Sequence, residues 1–247
     1  MIYSAVKEYL YNQGERLLKI NPDILTNEKV LEIEHDIEDG FTKLLAQHHV
    51  SVPVFGEDIS RQLPTTDSYW VIDAISGTNQ FIAGSPEYAL CVAEVKDGEI
   101  IYAVVVAPGH SEVFEAKKGQ GVLFNNEPLR FSKRNVGDLI LNLDPSSTLD
   151  KLQEQIWRST FYLFPFILNQ ASILSYCRVV QRRYSRIISV SKDSFPYFAG
   201  TFLINESGGL STNIEGMINI RPSDRIFLGA VSDQIHKETM NLCESKI

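Results

Sequence analysis

Apolar residues recur at helical spacing from Val6 to Leu18 and again from Val30 to Leu45, which predicts two amphipathic helices at the start of the chain. An Asn/Asp/Thr-rich break over 21–27 separates them. After Gly40 the period shortens. The runs 52–55 and 69–72 are short, bulky and rich in β-formers, which predicts strands, and each leads to an acidic residue. The clearest hairpin spans 88–95 and 99–106, joined by Lys96-Asp97-Gly98, because Asp-Gly accepts the positive φ of a tight turn. Further strands are predicted at 112–116 and 122–124, the latter turning through Asn125-Asn126.

From Ser147 helix and strand patterns alternate. A helix is predicted near 149–157, an apolar strand near 161–163, a helix over 170–182 and a strand over 184–189. A helix over 195–206 ends at Gly208-Gly209, a C-cap signal, and a last helix covers 232–244. The pattern reads as α+β or mixed α/β: an antiparallel-rich half, 1–140, and an alternating half, 141–247, packed as one globular unit.

Composition narrows the function classes. A chain of 247 residues that is 44% hydrophobic can bury a substantial core. Cys91, Cys177 and Cys243 are odd in number and far apart, which points to reduced thiols and a cytoplasmic setting. No run of 18 apolar residues occurs, so neither a membrane span nor a signal peptide is expected. A net charge of −8 argues against nucleic acid as a partner, since phosphate backbones need clustered cations. The basic group Arg178, Arg182, Arg183 and Arg186 reads as a solvated or salt-bridged helix end. His48-His49 cannot turn both rings to one helix face, and His35 lacks a second ligand at useful spacing. No G-x-S-x-G, Walker or dinucleotide-binding glycine pattern is present.

Three segments carry candidate chemistry: Gly56-Glu57-Asp58, the run from Trp70 to Phe81, and the stretch from Ala199 to Gly209. Glu57 and Asp73 fall at the C-terminal ends of predicted strands, where loop carboxylates converge on a hard cation. Ser76-Gly77-Thr78 then leads into a predicted helix start, whose free N–H groups can cradle phosphate. This arrangement resembles the inositol monophosphatase family of magnesium-dependent phosphatases. Its pattern is a G-E-E segment, then W-x-I-D-P-x-D-G-T-x-N-F, then W-D-x-A-A-G leading to E-A-G-G. The hairpin at 96–106, Ala107-Pro108, Gly119-Gln120-Gly121 and Asn126-Glu127-Pro128 are similar to that family as well, so the resemblance runs from Glu34 to Gly229.

The resemblance implies a layered αβαβα sandwich, a homodimer, and hydrolysis of a small phosphate monoester. Glu57 resembles the first-metal carboxylate, Asp73 the carboxylate bridging two metals, and Ile75 the backbone carbonyl ligand. Thr78 resembles the residue that polarises the attacking water, and Asp36 falls where a helix acid assists it; Ser76, Gly77 and Thr78 form the phosphate cradle. Two positions depart from the pattern. The second Asp of D-P-x-D-G-T is Ser76, and W-D before A-A-G is Phe195-Pro196. The remaining ligands serve one magnesium ion, whereas the second position lacks two anionic donors unless Asp193 substitutes. On the substrate side, Gln170 and Ala171 replace a Gly-Ser pair, Ser175 replaces an acid, and Ser189 lies near a sugar-contacting Glu.

Two readings follow from the resemblance. One is a magnesium-dependent phosphatase, weak or altered, acting on an inositol, sugar or nucleotide phosphate. The other is a catalytically inactive relative that keeps the scaffold to bind a phosphorylated metabolite or a partner.

Overall fold

The computed structural model describes residues 2–56, 66–130, 137–143, 151, 154–156, 158, 171–191 and 195–244. The chain opens with helices α1 (Ile2–Leu17) and α2 (Asn27–Gln47). Thr26 caps α2, its hydroxyl accepting the N–H of Lys29 at 3.2 Å. Strands β1 (Val54–Gly56) and β2 (Tyr69–Ser76) follow, then the short helix α3 (Thr78–Ile82). Next come β3 (Ala89–Lys96), β4 (Glu99–Ala107), β5 (Glu112–Lys117), β6 (Val122–Phe124) and β7 (Glu127–Pro128). These seven strands form one sheet in sequence order, β1 parallel to β2 and the rest antiparallel. Asp97-Gly98 and Asn125-Asn126 all have positive φ, as two-residue hairpin turns demand.

The second sheet holds β8 (Gly137–Leu143), β9 (Tyr184–Val190), β10 (Leu210–Asn213) and β11 (Ile226–Ala230), in the order β10-β11-β9-β8. Helices α4 (Ser172–Val180) and α5 (Phe195–Glu206) lie between the sheets, and α6 (Asp233–Glu244) covers the outer face of the second. With α1 and α2 on the outer face of the first sheet, the layers run α, β, α, β, α. The largest apolar cluster joins β2–β6 to α4, α5, β9 and β11, so one core spans both halves of the chain.

Four strands are additional to the sequence reading: the two-residue β7, and β8, β10 and β11. β11 is buried at every position, so it shows no alternation. β10 is Leu-Ser-Thr-Asn, whose buried polar side chains are satisfied by distant partners; Ser211 Oγ, for example, donates to Leu228 O at 2.9 Å. The second sheet begins at Gly137, so residue 140 falls inside β8. The strand expected near 161–163 lies outside the described residues, as does most of the helix near 149–157, of which 154–156 are helical. Within the basic group, the salt-bridged alternative holds for Arg178, which is 6% exposed in the last turn of α4 and whose guanidinium meets the Glu112 carboxylate at 2.6 Å, although the pair is buried rather than solvated.

Candidate functional site

β1 and β2 run parallel with Gly56 opposite Ile72, so both leave the sheet at the same end. Alternation along β2 sends Trp70 and Ile72 into the core shared with α1 and α2, and Tyr69 and Val71 into the core shared with α4 and α5. The same alternation carries Asp73, 3% exposed, to the α4/α5 face. There the ladder slips: Asp73 opposes Cys91 but Ser76 opposes Ala89, a β-bulge that takes up an extra residue on β2. Bulges re-aim backbone groups, and this one turns the Ile75 carbonyl to within 3.2 Å of Thr78 Oγ1.

Gly77 completes the turn at φ +91°, where a Cβ would sit 2.8 Å from the Ala171 Cβ and 3.1 Å from the Glu87 carbonyl. Only glycine fits there. Thr78 starts α3, which is held by buried Phe81 packed edge-on against Tyr88, with ring centroids 4.8 Å apart. Burial pushes the Tyr88 hydroxyl up to about 12, so this ring is a prop and not an acid or base near neutrality.

The Thr78 hydroxyl also lies 3.1 Å from Glu34 Oε1. A hydroxyl has one proton, and a carboxylate is the stronger acceptor, so Glu34 is the favoured partner over the Ile75 carbonyl. Glu34 is 6% exposed and belongs to the buried stripe Val30, Ile33, Glu34, Ile37, Glu38, Phe41 and Leu45 of α2. Asp36 does not. Its side chain is 61% exposed and pairs with Arg16 at 2.5 Å, so the acid beside Thr78 is Glu34, not Asp36. The signal for this was in the helical period: positions 34 and 38 fall on the apolar stripe and 36 does not.

The other expected residues divide by element. Ser76 is 4% exposed at the end of β2, and Pro196 is buried in the first turn of α5, where the missing proline N–H costs no helical bond. Ala171 is 2% exposed and abuts Gly77, so the start of α4 lies next to the turn; Ser175 and Ser189 are fully buried. Glu57 and Asp58, Asp193 and Gln170 lie outside the described residues. Two other motif pieces form a clamp: the Glu206 carboxylate accepts the N–H groups of Gly119 at 3.0 Å and Gly121 at 3.1 Å, tying α5 to the β5–β6 turn.

Among the described residues no group of three His, Cys, Asp or Glu side chains gathers as a metal cage. The donors at the strand end are the Asp73 carboxylate and the Ile75 carbonyl, hard oxygens that fit one divalent cation of the magnesium type. A second ion does not fit the residues at 76 and 196, a neutral hydroxyl and a side chain without a donor.

A layered α/β sandwich with a buried carboxylate, a bulge carbonyl and a threonine–glutamate pair at the end of a mixed sheet defines the class of protein. The family model described as the inositol monophosphatase family matches residues 11–245, and the chain belongs to that family. It is similar to the Nus factor SuhB of Pseudomonas aeruginosa, 27% identical over 230 residues, covering 85% of this chain and 81% of that protein. A putative Nus factor SuhB of Neisseria meningitidis is 27% identical over 154 residues, covering 60% of this chain and 58% of that protein. The second match thus spans little more than half of that relative. Among solved structures, the Thermotoga maritima IMPase shares the fold with a TM-score of 0.78 and 21% identity, covering 97% of this chain and 95% of that one.

Proposed function

We propose that the protein is a magnesium-dependent phosphomonoesterase working with one ion on a small inositol, sugar or nucleotide phosphate. The observation that carries this reading is the Thr78 hydroxyl held between Glu34 Oε1 at 3.1 Å and the Ile75 carbonyl at 3.2 Å, at the end of the strand that bears buried Asp73. Asp73, the Ile75 carbonyl and Glu57 would hold the ion. When bound, magnesium supplies positive charge against the phosphoryl oxygens and makes a coordinated water more acidic.

The chain's own residues do the rest. Thr78 Oγ1 accepts a hydrogen bond from the attacking water and orients its lone pair toward phosphorus. As the oxygen–phosphorus bond forms, the water proton passes to Thr78 and the hydroxyl proton passes to Glu34. The ester bond breaks, and the departing alkoxide takes its proton from solvent. The N–H groups of Ser76, Gly77 and Thr78 receive phosphate oxygens in this reading. A cytoplasmic homodimer goes with it as the family's implication.

A second reading has its own support. Ser76 and Pro196 remove two carboxylates from the α4/α5 side, and two similar proteins carry the name Nus factor and not that of a phosphatase. On that reading the chain keeps the scaffold to bind a phosphorylated metabolite or a protein without turnover.

Phosphate release from inositol, sugar and nucleotide phosphates, with magnesium and manganese titrated, separates the two. Metal-dependent release that disappears in Asp73→Asn supports the phosphatase. Release equal to that variant across the panel rules it out and leaves the binding role.

A further inference from the structure

A groove of about 450 Å³ lies on the outer face of the seven-stranded sheet, between α1 and the ends of β4, β5 and β6, and no residue of the Thr78 site lines it. That volume suits a small molecule. Two struts hold α1 off the strands. At one end Lys7 Nζ meets Glu115 Oε2 at 2.6 Å and Asn126 Oδ1 at 2.8 Å, tying the helix to β5 and to the turn after β6. Two helical turns further on, Gly14 seats the helix on the sheet: a Cβ there would lie 3.2 Å from Pro108 Cβ and 3.3 Å from Val106 Cγ1. The groove has an apolar floor of Val106, Pro108 and Val113. Its α1 wall presents Glu8, Tyr11 and Glu15, which the helical period places on one exposed stripe, Tyr11 being 51% exposed.

The charges select the occupant. Lys7 is matched by Glu115, and Glu112, which also lines the groove, is matched by Arg178 at 2.6 Å, so each pair is neutral. Among the described residues neither Glu8 nor Glu15 has an ion-pair partner. The groove therefore carries two uncompensated carboxylates beside an apolar floor, in a chain of net charge −8. Seven residues separate the two acids, a rise of about 10 Å along the helix, with Tyr11 between them. Such spacing favours a ligand with two separated charges over a single metal ion. We propose that the groove binds a linear aliphatic di- or polyamine, with one ammonium group on Glu8, another on Glu15, and the methylene chain laid along Tyr11, Val106 and Pro108. Charge-assisted hydrogen bonds fix the two ends, and the apolar floor takes the chain out of water. The proposal is independent of the roles given above to Thr78 and Asp73.

The experiment is calorimetry of the full chain with spermidine at about 0.15 M salt, where attraction between exposed charges beyond about 8 Å is screened. One amine per chain is expected. Putrescine, whose two nitrogens are closer together, and hexylamine, which has one charge, should each bind about tenfold or more weakly, as the loss of one hydrogen bond to a charged group implies. Glu8→Gln and Glu15→Gln should each lower spermidine affinity by about tenfold, and Tyr11→Ala by about threefold. All three side chains face water, so the variants should melt with the wild type. Glu28→Gln removes the same charge from the exposed first turn of α2, and Asp73→Asn removes the carboxylate on β2; both should bind spermidine as the wild type does. Absence of saturable spermidine binding overturns the proposal. Equal weakening in Glu28→Gln does so too, as the mark of attraction to net charge alone, and so does hexylamine binding as tightly as spermidine. Loss of binding in Asp73→Asn but not in Glu8→Gln or Glu15→Gln would move the amine to the Thr78 site and overturn it as well.

Discussion

The two faces of the seven-stranded sheet reach the same strand end with different chemistry. On the α2 face, two buried acids survive in an apolar stripe, one bonded to Thr78 and the other seated on Gly56. On the α4/α5 face, Asp73 stands without the carboxylates expected at 76 and 196. The difference shows that two sets of side chains brought to one strand end from opposite faces of a sheet can differ in charge, acids on one face and a neutral hydroxyl and a proline on the other. Each set is held by its own core, α2 by one apolar cluster and α5 by another.

The largest expected effect tests the intact side. Thr78→Val and Glu34→Gln should each lower phosphate release by about 10²–10⁴-fold, the usual contribution of a positioned proton acceptor. Asp36→Asn should leave the rate unaltered, since its exposed pair with Arg16 is worth at most about 1 kcal/mol to stability. Equal losses in Asp36→Asn and Glu34→Gln, at matched magnesium, would falsify the assignment of Glu34.

The altered side is tested by restoration. Ser76→Asp combined with Pro196→Asp should raise the number of bound ions seen by calorimetry and speed hydrolysis by about tenfold or more. Without magnesium the same protein should melt lower than the wild type, because both positions are buried and like charges there have no counterion. A double variant that binds no additional ion would show that the rest of the α4/α5 side has also drifted.

The turn joining the two sides comes next. Gly77→Ala places a side chain at φ +91° and against Ala171, which should cost about 1–3 kcal/mol, read as a lower urea midpoint. The smallest effect lies away from both sides. His236 is 5% exposed, with Nε2 3.0 Å from Thr212 Oγ1; burial lowers its pKa below 6.5, while Asp233 opposes the shift. The unfolded chain therefore binds this proton more readily, and the neutral ring's contribution is complete above pH 6.5 and is lost as pH falls below it. Denaturation at pH 7.5 and 5.5 should show a smaller pH dependence in His236→Gln than in the wild type.

Much of the fold was legible along the chain. Helix α5 occupies the predicted span, and the β3–β4 hairpin turns at Asp97-Gly98, because turn chemistry and helical period are local properties. β10 escaped because Ser211, Thr212 and Asn213 read as loop residues until distant partners satisfy them, Asn213 through Asp224 and Thr212 near His236. At the site, the segment Asp73 to Thr78 was recognisable from residue order, and the pairing of Glu34 with Thr78 was not.

The sequence by itself determined the family, the class of fold, the order of residues from Asp73 to Thr78, and the absence of carboxylates at 76 and 196. These depend on residue identity, local period and order. Asp73 itself lies within β2, which runs on to Ser76, rather than at the strand end expected at 72. Only the tertiary structure decided which acid of α2 meets Thr78 and what fills the space above Gly56. Glu34, Asp36, Glu38 and Asp39 are close neighbours in the chain, and the rotation of α2 on the sheet buries two and leaves Asp36 in water. That rotation is set by Val30, Ile33, Ile37, Phe41 and Leu45 packing against β2 and its neighbours, contacts between residues far apart in the chain.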